Sequence, residues 1–537
     1  MDNQWSRQVI PRWRSSSTSS RLPESLPTAV NPAAPANTPV PQHVKAYFDE
    51  QLKQWHSAPN FGGAADLLNY GHDPEFREKL IEPAKFILQE QDGVSAQLHS
   101  VASLVLGTPF FAEYMPQKEF QQKEIARLKR HLSINPRNSI ALIDMARMYA
   151  ILGQNEQAGE AIMMACALEP NNRFVLRSAA RFYTHLKQAD RALFVLQKSA
   201  RTQEDPWLLA ALVAVETVLG KSPSLFKKAQ RTVEGSRFAP MHLAELGAAL
   251  GTLLMEEGHA KEAKRTFNVA LRSPNDNAVA QAVWFVNHHS IQMNIMPEWL
   301  TDKYSSEAQY YDLEKRGDYA GALTAAHNWF EDEPFSSRPL RASSHAASII
   351  GKYSTAEDCM RRALFLGPYE TECENNLVFA LAAQNKMEEV GKRLQNIIQL
   401  EIAETGVVSG HTLANLGLYY YRLGVHDKGY DFYQSAYELL DSKKENSSKA
   451  LAMAFWVLAA KEANDPRAED VIELAESRIK GDHSQGAQIV LSRAKKEALT
   501  KDKNLGYLKS AVIWEYDKIE NTLVSSKALP FNVVSKK

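Results

Sequence analysis

The sequence predicts an all-α protein built as a solenoid of helical hairpins, and three observations carry that expectation. Residues 139–172, SIALIDMARMYAILGQNEQAGEAIMMACALEPNN, hold two apolar stripes at helical spacing with turn residues between them. The same spacing returns 34 residues later. No region is rich in strand patterns, which leaves no room for a dinucleotide-binding or hydrolase domain.

In the first helix of that stretch Leu142, Met145, Ala146 and Tyr149 share one face, and Gly153-Gln154-Asn155 breaks the pattern. Ala158, Ile162, Ala165 and Leu168 form the second stripe, which Pro170 ends because proline cannot continue a helix. Ala146, Ala158 and Ala165 let helix axes approach closely. One repeat later Leu176, Ala180, Tyr183, Leu186 and Ala192 take the places of Leu142, Ala146, Tyr149, Leu152 and Ala158. Downstream, Gly317, Tyr319, Ala322 and Pro334 are followed at the same shift by Gly351, Tyr353, Ala356 and Pro368. A shift that preserves small residues, tyrosine, turn glycine and closing proline resembles the tetratricopeptide repeat family over roughly residues 118–480. The family's first-helix tryptophan is replaced by Leu142 in the clearest unit. The resemblance implies a right-handed superhelical solenoid, with the first helix of each unit lining a concave groove.

The chain has 537 residues, too many for one compact core, whereas a solenoid grows because each unit touches only its neighbours. Residues 1–42 contain seven prolines and seven serines and read as a disordered arm. Within it WSRQVIPRWR carries Trp5, Arg7, Arg12, Trp13 and Arg14, residue types that anchor small interfaces. This stretch is either a short linear motif, docking on a partner or back on the solenoid, or an unselected tail. Residues 43–117 are expected to form a helical N-terminal cap, with Pro83 kinking or splitting its second helix. The repeat solenoid spans 118–480. It is irregular near 275–302, where a helix is followed by SIQMNIMPEWL, too short for a normal second helix, and a bend is expected. Residues 481–537 read as a charged helical cap and a short tail.

In the related family the residues at places two, five, nine and thirteen of each unit face the groove. Carried onto this chain, one unit presents Ile140, Ile143, Arg147 and Ile151, and the next Phe174, Arg177, Arg181 and His185. Further units present Arg338, Arg341, His345 and Ile349, then Glu372, Asn375, Phe379 and Ala383, then His411, Ala414, Leu418 and Arg422. The arginines suit an acidic or carboxylate-bearing peptide through bidentate bonds, or are ordinary solvated surface. The candidate groove residues are thus Arg147, Arg177, Arg181, His185, Arg338, Arg341 and His345. The candidate arm residues are Trp5, Arg12, Trp13 and Arg14.

Catalytic signatures are missing. Gly220-Lys221-Ser222 ends like a phosphate loop, but Val215 stands where its first glycine belongs and Pro223 follows. His288 and His289 point apart on a helix and form no metal site by themselves. No cofactor and no metal are expected. The formal net charge of −1 gives no global field toward nucleic acid. Cys166, Cys359 and Cys373 are too few for a disulfide framework, and no run of 18 apolar residues spans a membrane. The sequence therefore reads as a cytoplasmic, non-catalytic scaffold or adaptor for a protein or peptide. Two alternatives stay open: a sensor subunit gating a separately encoded enzyme, and an RNA- or DNA-binding regulator.

Overall fold

The structure, a computed structural model, describes residues 7–16, 42–68, 70, 76, 78–89, 102, 105–106, 118–289, 292–301, 305–368, 370–479 and 484–496. Among the described residues regular structure is entirely helical. The chain divides into two compact units, Met1–Gln309 with His327–Pro334, and Tyr310–Ala326 with Phe335–Lys537.

The first unit begins with residues 7–15, which form neither helix nor strand, and Ser16. Helices α1 (Gln42–Ser57), α2 (Phe61–Leu68) and α3 (Ile81–Gln89) follow. They bury Phe48, Trp55, Leu67, Leu80 and Ile87 in a small core of their own. Pro83 sits in the first turn of α3, and a 3-10 turn over Glu78–Leu80 precedes it, so the expected helix is split where proline is tolerated. Most of the helix expected over 95–107 lies outside the described residues.

The repeats start with α4 (Lys118–Ile134), which packs on α5 (Ser139–Ile151). The clearest hairpin is α5 with α6 (Asn155–Leu168), and the next is α7 (Arg173–His185) with α8 (Ala189–Lys198). Each first helix has an asparagine cap. Asn138 accepts from the Ala141 amide, and Asn172, 34 residues on, accepts from Phe174 and Val175. The turn between paired helices needs a left-handed residue. Gly153 supplies it at φ 71°, and Lys187, in the matching place, is held at φ 57°. The three alanines expected at helix crossings, 146, 158 and 165, are fully buried.

Next come α9 (Pro206–Val218), α10 (Phe226–Glu234), α11 (Pro240–Glu256) and α12 (Ala260–Ala270). Pro206 opens α9 at a position whose N–H would be unused, and Asp205 caps it. The axes of α11 and α12 come so close that a Cβ on Gly251 would meet the Phe267 ring at 2.6 Å. The irregular segment resolves into α13 (Asp276–His288), a loop, and the single-turn α14 (Pro297–Thr301) in place of a full second helix. The first ten residues of α13 are all buried.

Helices α15 (Ser306–Arg316) and α16 (Tyr319–Asp332) contribute to both units. The second unit continues with α17 (Ser337–Ile349), α18 (Tyr353–Leu366), α19 (Thr371–Ala383), α20 (Met387–Thr405), α21 (Gly410–Arg422), α22 (His426–Ser442), α23 (Asn446–Glu462), α24 (Ala468–Ile479) and α25 (Gln485–Lys496). Its core is aromatic: Tyr419, Tyr420, Tyr421 and Trp456 are buried, and the Trp456 indole donates to the Tyr421 hydroxyl at 3.2 Å. The last helix does more than cap a solvated end. Ala487, Val490, Leu491 and Ala494 are buried as α25 packs on α17 and α23, and Arg493 donates to the Ile349 carbonyl and the Tyr353 hydroxyl. The helix expected over 503–523 and the tail lie outside the described residues.

Candidate functional site

The feature that stands apart from ordinary repeat packing is the seat of residues 7–16 on the inner helices of the first unit. The expectation of disorder over residues 1–42 does not extend to this stretch, where Arg7, Val9, Ile10 and Trp13 are buried. Residues 1–6 and 17–41, Trp5 among them, lie outside the described residues.

Main-chain contacts set the register. Asn277 and Gln281 stand four apart on α13, hence on one face. The Gln281 amide donates to the Arg7 carbonyl at 2.6 Å, and the Asn277 amide donates to the Ile10 carbonyl at 3.0 Å. Arg147 on α5 donates to the Trp13 carbonyl at 3.1 Å. At the end of the stretch the Ser16 amide donates to the Asp144 carboxylate at 2.8 Å, and its hydroxyl donates to the other oxygen. A tight turn from the Ile10 N–H to the Gln8 carbonyl, followed by Pro11 with its fixed φ, shapes the chain between these anchors.

The side chains then read as alternating charge. Arg7 grips Glu307 through two bonds of 2.9 and 2.8 Å, and also donates to Gln281 and Asn277. Arg12 bridges Asp276 at 3.0 Å and Glu307 at 2.5 Å, with Glu333 at 3.3 Å. Arg14 bridges Asp332 at 2.6 Å and Asp276 at 2.9 Å. Trp13 is 0% exposed and meets the Phe182 ring edge-on at 5.9 Å. Glu307 is 1% exposed, so these pairs are shielded from water and salt.

Charge balance follows from this list. Among the described residues the repeats place six carboxylates around the segment, Asp144, Glu256, Asp276, Glu307, Asp332 and Glu333, and two arginines, Arg147 and Arg181. The segment's three arginines offset most of that excess. Burying unpaired charges costs several kcal/mol each, so seat and segment are complementary. Burial opposes the charge on Arg12, yet Glu307, Glu333 and Asp276 outweigh it and hold its pKa above the ordinary value. Burial likewise opposes ionisation of Asp276, but Arg14 and Arg12 pull its pKa below the usual carboxylate value. Arg147 is pushed down by burial, which Asp332 and Asp144 only partly offset.

The structure thus unites Arg12, Trp13, Arg14, Arg147 and Arg181 in one site. Of the groove arginines, Arg177, Arg181 and Arg341 pair with carboxylates of the fold, and Arg147 donates to the main-chain carbonyls of Trp13 and Asp332. Arg181 pairs with Glu333, which also accepts from the Trp329 indole. Arg177 pairs bidentately with Glu245 at 2.7 and 3.0 Å and lies over the Trp207 ring. Glu245 in turn accepts from Asn277, linking Arg177 indirectly to the seat. His185 is buried on α7. Arg338, Arg341 and His345 belong to the second unit. There Arg341 pairs with Glu372 and Glu370, and His345 stands 3.2 Å from Glu314. Ser16, Asp144, Asp276, Asn277, Gln281, Glu307, Asp332 and Glu333 were not singled out by sequence, while Arg7 was noted only as part of the Trp/Arg motif. Their signal would have been the acids and amides on inner-face positions facing a Trp/Arg arm.

Among the described residues no group of three or more His, Cys, Asp or Glu is placed to hold a metal ion. No described helix is long and apolar enough to cross a membrane.

Fold and site together define a helical-repeat protein with its own residues 7–16 bound against α5, α7, α13, α15 and the end of α16. No protein-family model matches the chain, and no curated protein matches it. Among solved structures, the crystal structure of yeast Tom70 aligns at 14% identity, covering 81% of this chain and 95% of that one, with a TM-score of 0.29. A likeness at that score adds nothing to the fold described above.

Proposed function

We propose that the protein is a non-catalytic interaction scaffold of tetratricopeptide type, whose inner helices in the first unit hold a peptide segment. One observation carries the reading: residues 7–16 are seated by main-chain anchors from α5 and α13 and by arginine–carboxylate pairs, the arrangement of a peptide receptor. Such recognition combines register through the backbone with specificity through side chains. The unit spends its polar inner face on binding rather than on a nucleophile, base and oxyanion set.

The seat is acidic without its segment, so a phosphate backbone would meet like charge there, which weighs against the nucleic-acid alternative. The sensor-subunit alternative keeps its support, because a groove occupied from within the chain is a ready control point. The cytoplasmic reading rests on cysteine usage. Cys166, Cys359 and Cys373 are free, and burial pushes the Cys166 thiol up to about 11, which suits inert thiols in a reducing compartment.

The test is a native pull-down with the full chain and with its Asp276→Lys, Glu307→Lys variant, each with and without nuclease. A protein retained after nuclease and lost from the variant fits the scaffold reading. Retention that vanishes with nuclease, or purified chain with turnover of its own, contradicts it.

A further inference from the structure

We infer that the seat of residues 7–16 is an exchangeable site, whose outside partner is a basic segment with the arm's own spacing, Arg-x4-Arg-Trp-Arg. This rests on the peptide-receptor reading above and names the partner's chemistry. It reverses the charge that the inner-face arginines suggested by themselves.

Four observations point to a basic occupant without helical structure over most of its length. Among the described residues the repeats hold four more carboxylates than arginines around the seat, so an incoming chain must bring positive charge. The carboxylates are not one diffuse patch. Glu307 takes the first arginine, Asp276 and Glu307 the second, and Asp332 and Asp276 the third. Between the last two arginines lies a tryptophan site against Phe182, fully closed to water when filled. Three main-chain carbonyls of the occupant are held by Gln281, Asn277 and Arg147, which set the register of the backbone and take no account of side chains.

The occupant seen here belongs to the same chain as its seat, so it meets the seat at an effective concentration and not at a free one. Linked segments of one chain typically reach effective concentrations on the order of 1 mM. An arm with an intrinsic Kd of about 100 μM would then fill the seat about nine-tenths of the time and weaken an outside peptide about tenfold. The arm therefore acts as a competitor that sets the threshold for a partner. A segment with better-placed flanking contacts, or one presented in several copies, displaces it.

The experiment uses the full chain throughout. The probe is a fluorescein-labelled synthetic peptide of residues 5–16, with a control peptide carrying Arg→Glu at its three arginine positions. The receptor is wild type or the arm variant Arg7→Glu, Arg12→Glu, Arg14→Glu, which leaves the seat untouched and removes its internal occupant. The arm variant should bind the probe at least about tenfold more tightly than wild type. Adding Asp276→Lys and Glu307→Lys should abolish that gain, and the control peptide should bind no chain. Equal affinity for wild type and arm variant overturns the inference, as does equal binding of the two peptides. Should circular dichroism show the triple variant unfolded, Arg14→Ala takes its place with an expected gain of about threefold, and no gain overturns the inference. A cysteine pair at Ser16 and Asp144 separates the two levels. If the pair cross-links but no chain binds the probe, the seat stands and the exchangeable partner falls. If the pair fails to cross-link as well, the receptor reading itself falls.

Discussion

Glu307→Gln is the sharpest single perturbation of the seat. The side chain is 1% exposed, receives both nitrogens of Arg7, and is 2.5 Å from Arg12. The amide keeps the shape but removes the negative charge that the buried Arg7 and Arg12 guanidinium groups share. Removing one partner of a buried pair costs about 3–5 kcal/mol, because the charge left behind stays desolvated. Taking the lower figure of about 3 kcal/mol, since glutamine still accepts one hydrogen bond, the opening equilibrium constant of the arm rises about a hundredfold. Limited trypsin digestion reads the open fraction at Arg7, Arg12 and Arg14, because cleavage follows the open population when opening is fast. From an arm open about one-tenth of the time, the cut at these sites should accelerate by about tenfold, the ceiling of a fully open arm. Glu298→Gln, on an exposed glutamate of α14, should leave the rate unchanged. An acceleration below about threefold in Glu307→Gln would refute the assigned role of the buried pair.

Three further outcomes follow from the same structure. Trp13→Ala removes a fully buried indole from Phe182 and should weaken arm docking by about 3–5 kcal/mol, read as the same tryptic acceleration, with the thermal midpoint of the second unit unmoved. Asp276 has its pKa depressed by Arg14 and Arg12 against the opposing effect of burial, so its stabilisation is full above its ordinary value near 4 and is lost as pH falls further. The stability gap between wild type and Asp276→Asn, measured by denaturant unfolding, should therefore be constant from pH 7 to about 5 and close below about 4; a gap that widens on acidification would contradict the sign. Gly251→Ala gains about 1 kcal/mol of helix propensity but drives a methyl to 2.6 Å from the buried Phe267 ring, an overpacking cost of about 1–3 kcal/mol, so calorimetry should show net loss or no gain.

What the sequence disclosed and what it withheld divide by distance along the chain. The hairpins were legible because their signals are local. Asn138 and Asn172 cap helices a few residues away, and Gly153 turns the chain where it stands. Even the exception at Lys187 sits where the repeat demands a left-handed residue. The seat was not legible because every arginine–acid pair between arm and repeats spans more than 260 residues, from Arg14 and Asp276 to Arg12 and Glu333. Arg181 and Glu333, 152 apart, posed the same difficulty, so the arginine rows looked unmatched. Residues 275–302 broke the repeat pattern for a related reason. Asp276, Asn277 and Gln281 on α13 serve the arm instead of a second long helix, so burial extends around polar positions that a lone amphipathic helix would expose. The composition of residues 1–42 pointed to disorder, since composition counts apolar content and cannot see buried ion pairs.

The account stands or falls on whether residues 7–16 occupy the inner helices through their arginines. Disulfide trapping tests this directly. Ser16 and Asp144 are joined by two hydrogen bonds, so cysteines in their places lie within reach of one another when the arm is docked. Under mild oxidation the Ser16→Cys, Asp144→Cys chain should form this cross-link nearly completely within one molecule, mapped by peptide mass after digestion. The same pair in a chain also carrying Arg7→Glu, Arg12→Glu and Arg14→Glu should cross-link at the background rate. Absence of the link in the first chain, or equal yield in both, would contradict the docked arm and its electrostatic basis.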